Sequence, residues 1–216
     1  MKIYVDNYGA PDNFSIPLQN AISDLKDGDE LVFTEKEYHF FRDFSLSKTI
    51  HMTNTDSFQN PVKHFGILFE NKRNITVSGN GAVFHIHGDM CALALLNCAG
   101  VTLRDFTVHY PSPSNIEFEV EKVENNCIQY RLSTCDFEVN GKSITFFEQS
   151  PFDGTHYFEF TDNEMTDCWV CHDGDEVYRV WNENSPLSGV RRINRMSNNE
   201  IEIEYETAPA LKTGAV

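Results

Sequence analysis

Asn71-Lys72-Arg73-Asn74-Ile75-Thr76-Val77-Ser78-Gly79 can be laid over Asn97-Cys98-Ala99-Gly100-Val101-Thr102-Leu103-Arg104-Asp105 at an offset of 26 residues, with Asn, Thr and the flanking aliphatic positions coinciding. A period between 20 and 50 residues marks stacked supersecondary units, and short apolar runs separated by Asn and Gly turns, without helices between them, point to a β-solenoid. One such coil cannot bury its apolar face alone. Stacking sets Ile75 over Val101 and Val77 over Leu103 as inward ladders, turns Thr76 and Thr102 outward, and brings Asn71 and Asn97 together at a turn. Ile67-Leu68-Phe69, Ala82-Val83-Phe84 and Cys91-Ala92-Leu93-Ala94-Leu95 supply the other short strands, so the repeat reading covers about residues 65–110.

Upstream of the repeat, Ile16, Leu18, Ala21, Ile22 and Leu25 recur at helical spacing, which predicts one short helix with Ser15 as N-cap and Pro17 in its first turn. Asp27-Gly28-Asp29 breaks it. Glu30-Leu31-Val32-Phe33 and Tyr38-His39-Phe40-Phe41 then read as strands. Downstream, Pro111 and Pro113 stop the strand pattern and mark a boundary. Ile128, Tyr130 and Leu132 alternate with polar residues, and Phe137-Glu138-Val139-Asn140-Gly141-Lys142-Ser143-Ile144 reads as a hairpin with an Asn-Gly turn. Tyr157–Phe160, Val177–Trp181 and Ile201–Tyr205 continue the alternation, which suits a small antiparallel barrel or sandwich with an acidic outer face. The chain is therefore expected to be all-β, with a cap and first coils over 1–113, an inserted antiparallel module over 114–210, and a return towards the solenoid over 211–216. Ala210–Val216 carries no polar cap, which leads us to expect an N-terminal portion of a longer protein.

The formal net charge is −16, and residues 113–216, with 8 Lys/Arg against 20 Asp/Glu, supply −12 of it. Nucleic-acid binding rests on basic patches that release counterions, so this balance opposes it. It also disfavours polyanionic glycans and leaves a neutral one as the better substrate. No window approaches the ~20 apolar residues of a membrane helix. No signal peptide is visible, so the chain as written is expected in the cytoplasm, or outside it if a leader was removed. The six cysteines are expected as free thiols in that setting, and Cys168-Trp169-Val170-Cys171 lacks the second pair that would complete a zinc set.

Taken together, several segments resemble the α-1,3-galactosidases of glycoside hydrolase family 110, within the pectin-lyase-like superfamily. Asp6-Asn7-Tyr8-Gly9-Ala10 and Leu18-Gln19-Asn20-Ala21-Ile22 are similar to the cap that opens many proteins of that superfamily. Between Ser47 and Pro113 the order Asn54-Thr55-Asp56, Lys63-His64, Ile67-Leu68-Phe69, Asn74-Ile75-Thr76-Val77, Gly79-Asn80-Gly81, Phe84-His85-Ile86-His87-Gly88 and Asn97 onward is similar to the galactosidases themselves. Cys91, Cys98 and the strongly acidic module depart from the family pattern. The resemblance implies a right-handed parallel β-helix interrupted by a small β module, and an inverting exo-glycosidase that removes terminal α-1,3-linked galactose with two carboxyl groups and neither metal nor organic cofactor. It also implies that the catalytic carboxylates lie on later coils beyond Val216, so this chain by itself is expected to be inactive.

Within the chain, His85 and His87 share one strand face with Asp89 nearby, and these three are the candidate substrate-binding residues. A polar outer face is the commoner use of such a pattern, and a metal site ranks last, so no metal is expected. Asp43 and Asp105 read as lone turn or surface acids. His172-Asp173-Gly174-Asp175-Glu176 reads as a solvated acidic turn, because no later Glu completes an EF-hand. Trp169 and Trp181 read as core or sugar-stacking rings, and Arg191, Arg192 and Arg195 as ion-pair partners of the surrounding acids. The competing functions are a pectin-acting lyase or polygalacturonase of the same superfamily, which calls for basic clusters, and a non-catalytic glycan-binding β-helix.

Overall fold

The computed structural model describes residues 1–9, 14–50, 61–112, 116–134, 136–161, 169–173, 176–180 and 189–216. The described chain is mostly β-strand and divides into two compact units, Met1–Pro111 with Ser150–Tyr157, and Ser112–Gln149 with Phe158–Val216.

In the first unit, β1 (Lys2–Tyr4) leads into helix α1 (Ser15–Asp24), followed by β2 (Glu30–Val32), β3 (Glu37–Phe41), β4 (Leu46–Thr49), β5 (Val62–Glu70), β6 (Thr76–His87), β7 (Cys91–Leu96) and β8 (Thr102–His109). The helix is where the apolar spacing put it, with Leu18, Ala21 and Ile22 buried. Its N-cap is Phe14 rather than Ser15, and no side chain caps it. Phe14 is held there by two demands that outweigh a capping hydroxyl. Its ring is fully buried against Tyr38 at 4.6 Å, and its N–H donates to the His39 carbonyl at 3.1 Å. Ser15 thereby becomes a residue of the first turn, with a buried Oγ that has no hydrogen-bond partner.

Every pairing in the larger sheet is parallel: β1 with β2, β2 and β3 with the two halves of β6, and β6 with β8. A second ladder pairs β5 with β7 in parallel, and β4 lies antiparallel on β5. Both parallel ladders advance by the same step. Phe65 pairs with Cys91, Thr76 with Thr102 and Val77 with Leu103, and Arg73 bridges Ala99 between the ladders. The turn stacks as expected, since Asn97 Nδ2 donates to Asn71 Oδ1 at 2.6 Å, with φ of 54° and 52° at Asn71 and Asn97. Asparagine tolerates that left-handed backbone better than most side chains do. The step shortens past Ser78, where Ala82 pairs with Phe106. Gly79 sits at this irregularity, and a Cβ there would stand 2.5 Å from the Asp105 carbonyl oxygen and from Phe106 Cβ.

Ile75 and Val77 point inward at 2% and 1% exposure, beneath a core in which Phe84 touches Phe33 at 4.7 Å and Phe106 at 4.8 Å between ring centroids. Leu103 faces the same ladder but is 36% exposed. Tyr38 is fully buried, its hydroxyl accepting from the Thr34 and Glu35 N–H groups and donating to Asp6. Burial pushes its pKa well above that of an ordinary phenol.

The second unit contains β9 (Phe118–Glu124), β10 (Cys127–Leu132), β11 (Phe137–Asn140), β12 (Ser143–Gln149), β13 (His156–Thr161, which begins in the first unit), β14 (Trp169–Asp173), β15 (Glu176–Val180), β16 (Val190–Arg195) and β17 (Glu200–Tyr205). An antiparallel sheet runs β16-β17-β10-β9. Alternation sends Ile201, Ile203 and Tyr205 into a core with Ile128, Tyr130 and Phe146, and leaves Glu200, Glu202 and Glu204 on the other face. The β11–β12 hairpin closes at the Asn140–Ser143 pair, so its two-residue loop is Gly141-Lys142 rather than the expected Asn140-Gly141. Glycine is the residue that meets the φ of +66° required at the first loop position. Arg195 places its guanidinium over Phe137 at 4.0 Å and donates to the carbonyls of Phe137, Ser197 and Asn198, while Arg191 pairs with Glu204 at 3.9 Å as expected of this basic cluster. The 211–216 segment joins this unit: Ala215 is buried in its core and exchanges backbone hydrogen bonds with Val120 through Gly214 and Ala215.

Candidate functional site: a histidine and aromatic face

Three neighbouring parallel strands carry histidine at one level. His39 on β3 pairs with His85 on β6, and His85 with His109 on β8. Since alternate residues of a strand face opposite ways, burying Phe40, Phe84 and Ile86 turns His39, Phe41, His85 and His87 to the other face.

Parallel register brings the rings of that face into contact. The His39 and His85 imidazoles stack at 4.6 Å with planes 11° apart, and Phe41 stacks on His87 at 4.4 Å and 14°. Two bonds join imidazole to imidazole, His39 Nδ1 with His87 Nε2 at 2.9 Å and His85 Nδ1 with His109 Nδ1 at 3.1 Å. Each bond needs an N–H on one ring and a lone pair on the other, so neither pair can be doubly protonated while its bond persists. Burial holds His85 below the usual histidine range, repulsion from His109 and His87 adds to this, and Glu37 pulls the other way. The Nε2 of His85 is buried and has no hydrogen-bond partner.

Glu37 lies two residues before His39 and therefore on the same face. One ligand atom from each of Glu37, His39 and His85 lies within 4.8 Å of the others. This is a metal-capable set of two imidazoles and one carboxylate.

The aromatic surface continues through Phe152, which is 53% exposed and meets Phe41 and Phe44 edge-on at 5.0 Å each. Its loop belongs to the first unit. Asp43 ties it down by accepting from Ser150 Oγ at 3.1 Å and from the Tyr157 hydroxyl, so this acid has a defined anchoring task. Gly88 makes room for the same loop. At its φ of +97°, a Cβ would stand 2.8 Å from Arg42 Cβ and 3.0 Å from Tyr157 Cγ.

Of the three residues singled out from sequence, His85 and His87 share the face as alternation requires. Asp89 sits exposed in the bend after β6, where its charge acts on His64 and Tyr110. Glu37, His39, Phe41, His109 and Phe152 escaped the sequence reading. The offset from β3 to β6 is 46 residues and from His85 to His109 it is 24, so a search at 26 pairs none of these histidines. Asn54-Thr55-Asp56, Cys168, Gly174-Asp175 and Trp181 lie outside the described residues. Cys91, Cys98 and Cys127 are free thiols.

No protein-family model matches the chain. Among curated proteins, it is 28% identical over 188 residues to alpha-1,3-galactosidase A of Streptomyces avermitilis, covering 82% of this chain and 29% of that protein. It is 25% identical over 210 residues to alpha-1,3-galactosidase A of Bacteroides thetaiotaomicron, covering 92% and 34%. Alpha-1,3-galactosidase B of Phocaeicola vulgatus is 36% identical over 117 residues, half of this chain and 19% of that protein. The resemblance to the α-1,3-galactosidases is thereby borne out, and the chain spans about a third or less of the length of these relatives.

Proposed function

We propose that this chain is the N-terminal part of a glycoside hydrolase of the right-handed parallel β-helix type, an inverting exo-α-galactosidase that removes terminal α-1,3-linked galactose. The observation that carries this reading is the similarity to α-1,3-galactosidases across as much as 92% of the chain. The shared step of the two parallel ladders supports the β-helix, and the antiparallel strands after Pro111 support a module inserted over 114–210.

In this reading the first unit builds the opening coils, and the outward ring face of Phe41, His87 and Phe152 contacts the glycan, with His85 and Asp89 at its margin. The apolar C–H face of a galactose ring suits aromatic and imidazole planes, while ring nitrogens and carboxylates bond its hydroxyls. An inverting site also holds two carboxyl groups ~6.5–9.5 Å apart, one protonating the glycosidic oxygen and the other activating water on the opposite face. We assign that pair to the part of the relatives this chain does not span.

The test is hydrolysis of p-nitrophenyl α-galactoside and of an α-1,3-linked digalactoside by a full-length protein carrying this chain, with the product anomer followed by proton NMR. Release of galactose with inverted configuration is expected, and none from the 216-residue chain alone. Cleavage of polygalacturonate instead would move the protein to the pectin-acting enzymes, and turnover by the isolated chain would put the carboxylates within it.

A further inference from the structure

We propose that Glu37, His39 and His85 form a binding site for a divalent transition-metal ion of the zinc type. Two neighbouring strands present the three side chains on one face, Glu37 and His39 two positions apart on β3 and His85 directly opposite His39 on β6. Their ligand atoms already lie within 4.8 Å of one another. In a tetrahedral zinc site with bonds of about 2.0–2.1 Å, ligand atoms stand about 3.3 Å apart, so closing the site takes movements of about 1.5 Å. Side-chain rotation supplies this without moving the backbone, because Glu37 is exposed and both imidazoles are only partly buried.

The partners around the set prepare it for a cation. A ligating imidazole must offer a bare nitrogen, which its other nitrogen secures by donating its proton elsewhere. His85 has that arrangement in the tautomer that donates its Nδ1–H to His109 Nδ1, which leaves the buried Nε2 without a partner. With the proton on Nδ1, Nε2 is a buried lone pair, and a metal ion is the partner that satisfies it. His39 Nδ1 is likewise bonded to an imidazole, His87 Nε2, at 2.9 Å. Four histidines thus act as two ligands and two orienting groups. Two imidazole nitrogens and one carboxylate oxygen favour zinc, copper or nickel over magnesium or calcium, which take mainly oxygen. Three protein ligands leave the fourth position to water or to a hydroxyl of a bound molecule.

The experiment titrates the whole 216-residue chain with Zn2+ by isothermal calorimetry and with Co2+ by visible absorption, and needs no enzymatic activity. One equivalent of zinc is expected, with a tetrahedral or five-coordinate cobalt band. His39→Ala and His85→Ala should each weaken binding by more than 100-fold, and Glu37→Gln by about 10-fold. His109→Ala, which frees the orienting nitrogen, should weaken it by about 10-fold to 100-fold. All four changes lie on the outer face, and an unchanged Tm of each metal-free variant separates lost binding from lost folding. Zinc should raise the Tm of the parent chain but not that of His39→Ala or His85→Ala. Absence of zinc binding would overturn the proposal. So would stoichiometric binding that survives His39→Ala together with His85→Ala, or binding that disappears in Cys168→Ser with Cys171→Ser while the histidines are intact.

Discussion

Replacing Phe84 with alanine tests the stacked core beneath the histidine face. The Phe84 ring is fully buried and contacts four aromatic rings, Phe33 at 4.7 Å, Tyr38 at 5.9 Å, Phe40 at 5.7 Å and Phe106 at 4.8 Å. Phe→Ala changes in cores cost about 3–5 kcal/mol, more where the surroundings cannot collapse. Here the walls of the cavity are rings fixed on separate strands by backbone pairing, which places the cost near the top of that range, at about 4–5 kcal/mol. With a urea m-value of about 2 kcal/mol/M, the midpoint of the first unit should fall by about 2 M. Hydrogen exchange of residues 62–109 against urea, read by mass spectrometry, follows that unit. Exchange of residues 190–205, in the second unit, provides an internal control that should move far less. Phe84→Leu retains much of the volume and should cost about 1–2 kcal/mol. A loss below about 1.5 kcal/mol in Phe84→Ala, or equal losses for Ala and Leu, would refute the view that this ring is the centre of a packed, unyielding stack.

Three further outcomes follow from single positions. Gly88→Ala forces a side chain into a left-handed backbone and against Arg42 and Tyr157, so residues 150–157 should exchange amide hydrogens faster, at a cost of about 1–3 kcal/mol. Asn97→Ala loses the bond to Asn71 and keeps the positive φ, and should cost about 1–2 kcal/mol in a urea titration, whereas Asn97→Gly relieves the backbone and should cost less. Glu30 is held below the usual glutamate range by its bond from Arg104 at 2.8 Å, with Lys2 adding attraction. A depressed carboxyl contributes stability above its unfolded pKa and loses it as pH falls through the folded value. The difference in urea midpoint between the parent and Arg104→Ala should therefore be present at neutral pH and vanish in acid, and a difference that persists in acid would exclude this pair as its source.

Much of the β architecture is legible from local pattern. Thr76 and Thr102, with their flanking aliphatics, announce the ladder because like residues pair directly where two parallel strands keep a constant spacing along the chain. Alternation likewise exposes Glu202 and buries Ile203 without reference to any partner strand. The histidine face was only half legible. Residues two apart on one strand, such as His85 and His87, declare their common face, but His39 and His109 join them through pairings whose spacing an extra segment and a bulge have altered. The N-cap failed for a related reason, since the long-range burial of Phe14 on Tyr38 decided where the helix starts.

The bonded imidazole pairs also act as a proofreader of threading. A strand displaced by a single residue exchanges its two faces, so a slip of β6 against β3 would send His85 and His87 into the apolar interior and lift Phe84 and Ile86 into water. Correct and incorrect alignments thus differ by the burial of two polar rings and the loss of two large hydrophobes, a penalty that falls entirely on the wrong one. Because the paired residues are separated by tens of positions along the chain, the imidazole contacts can form only after distant segments have met. The completed pairs are therefore a signature of the correctly registered sheet, which a slipped one lacks.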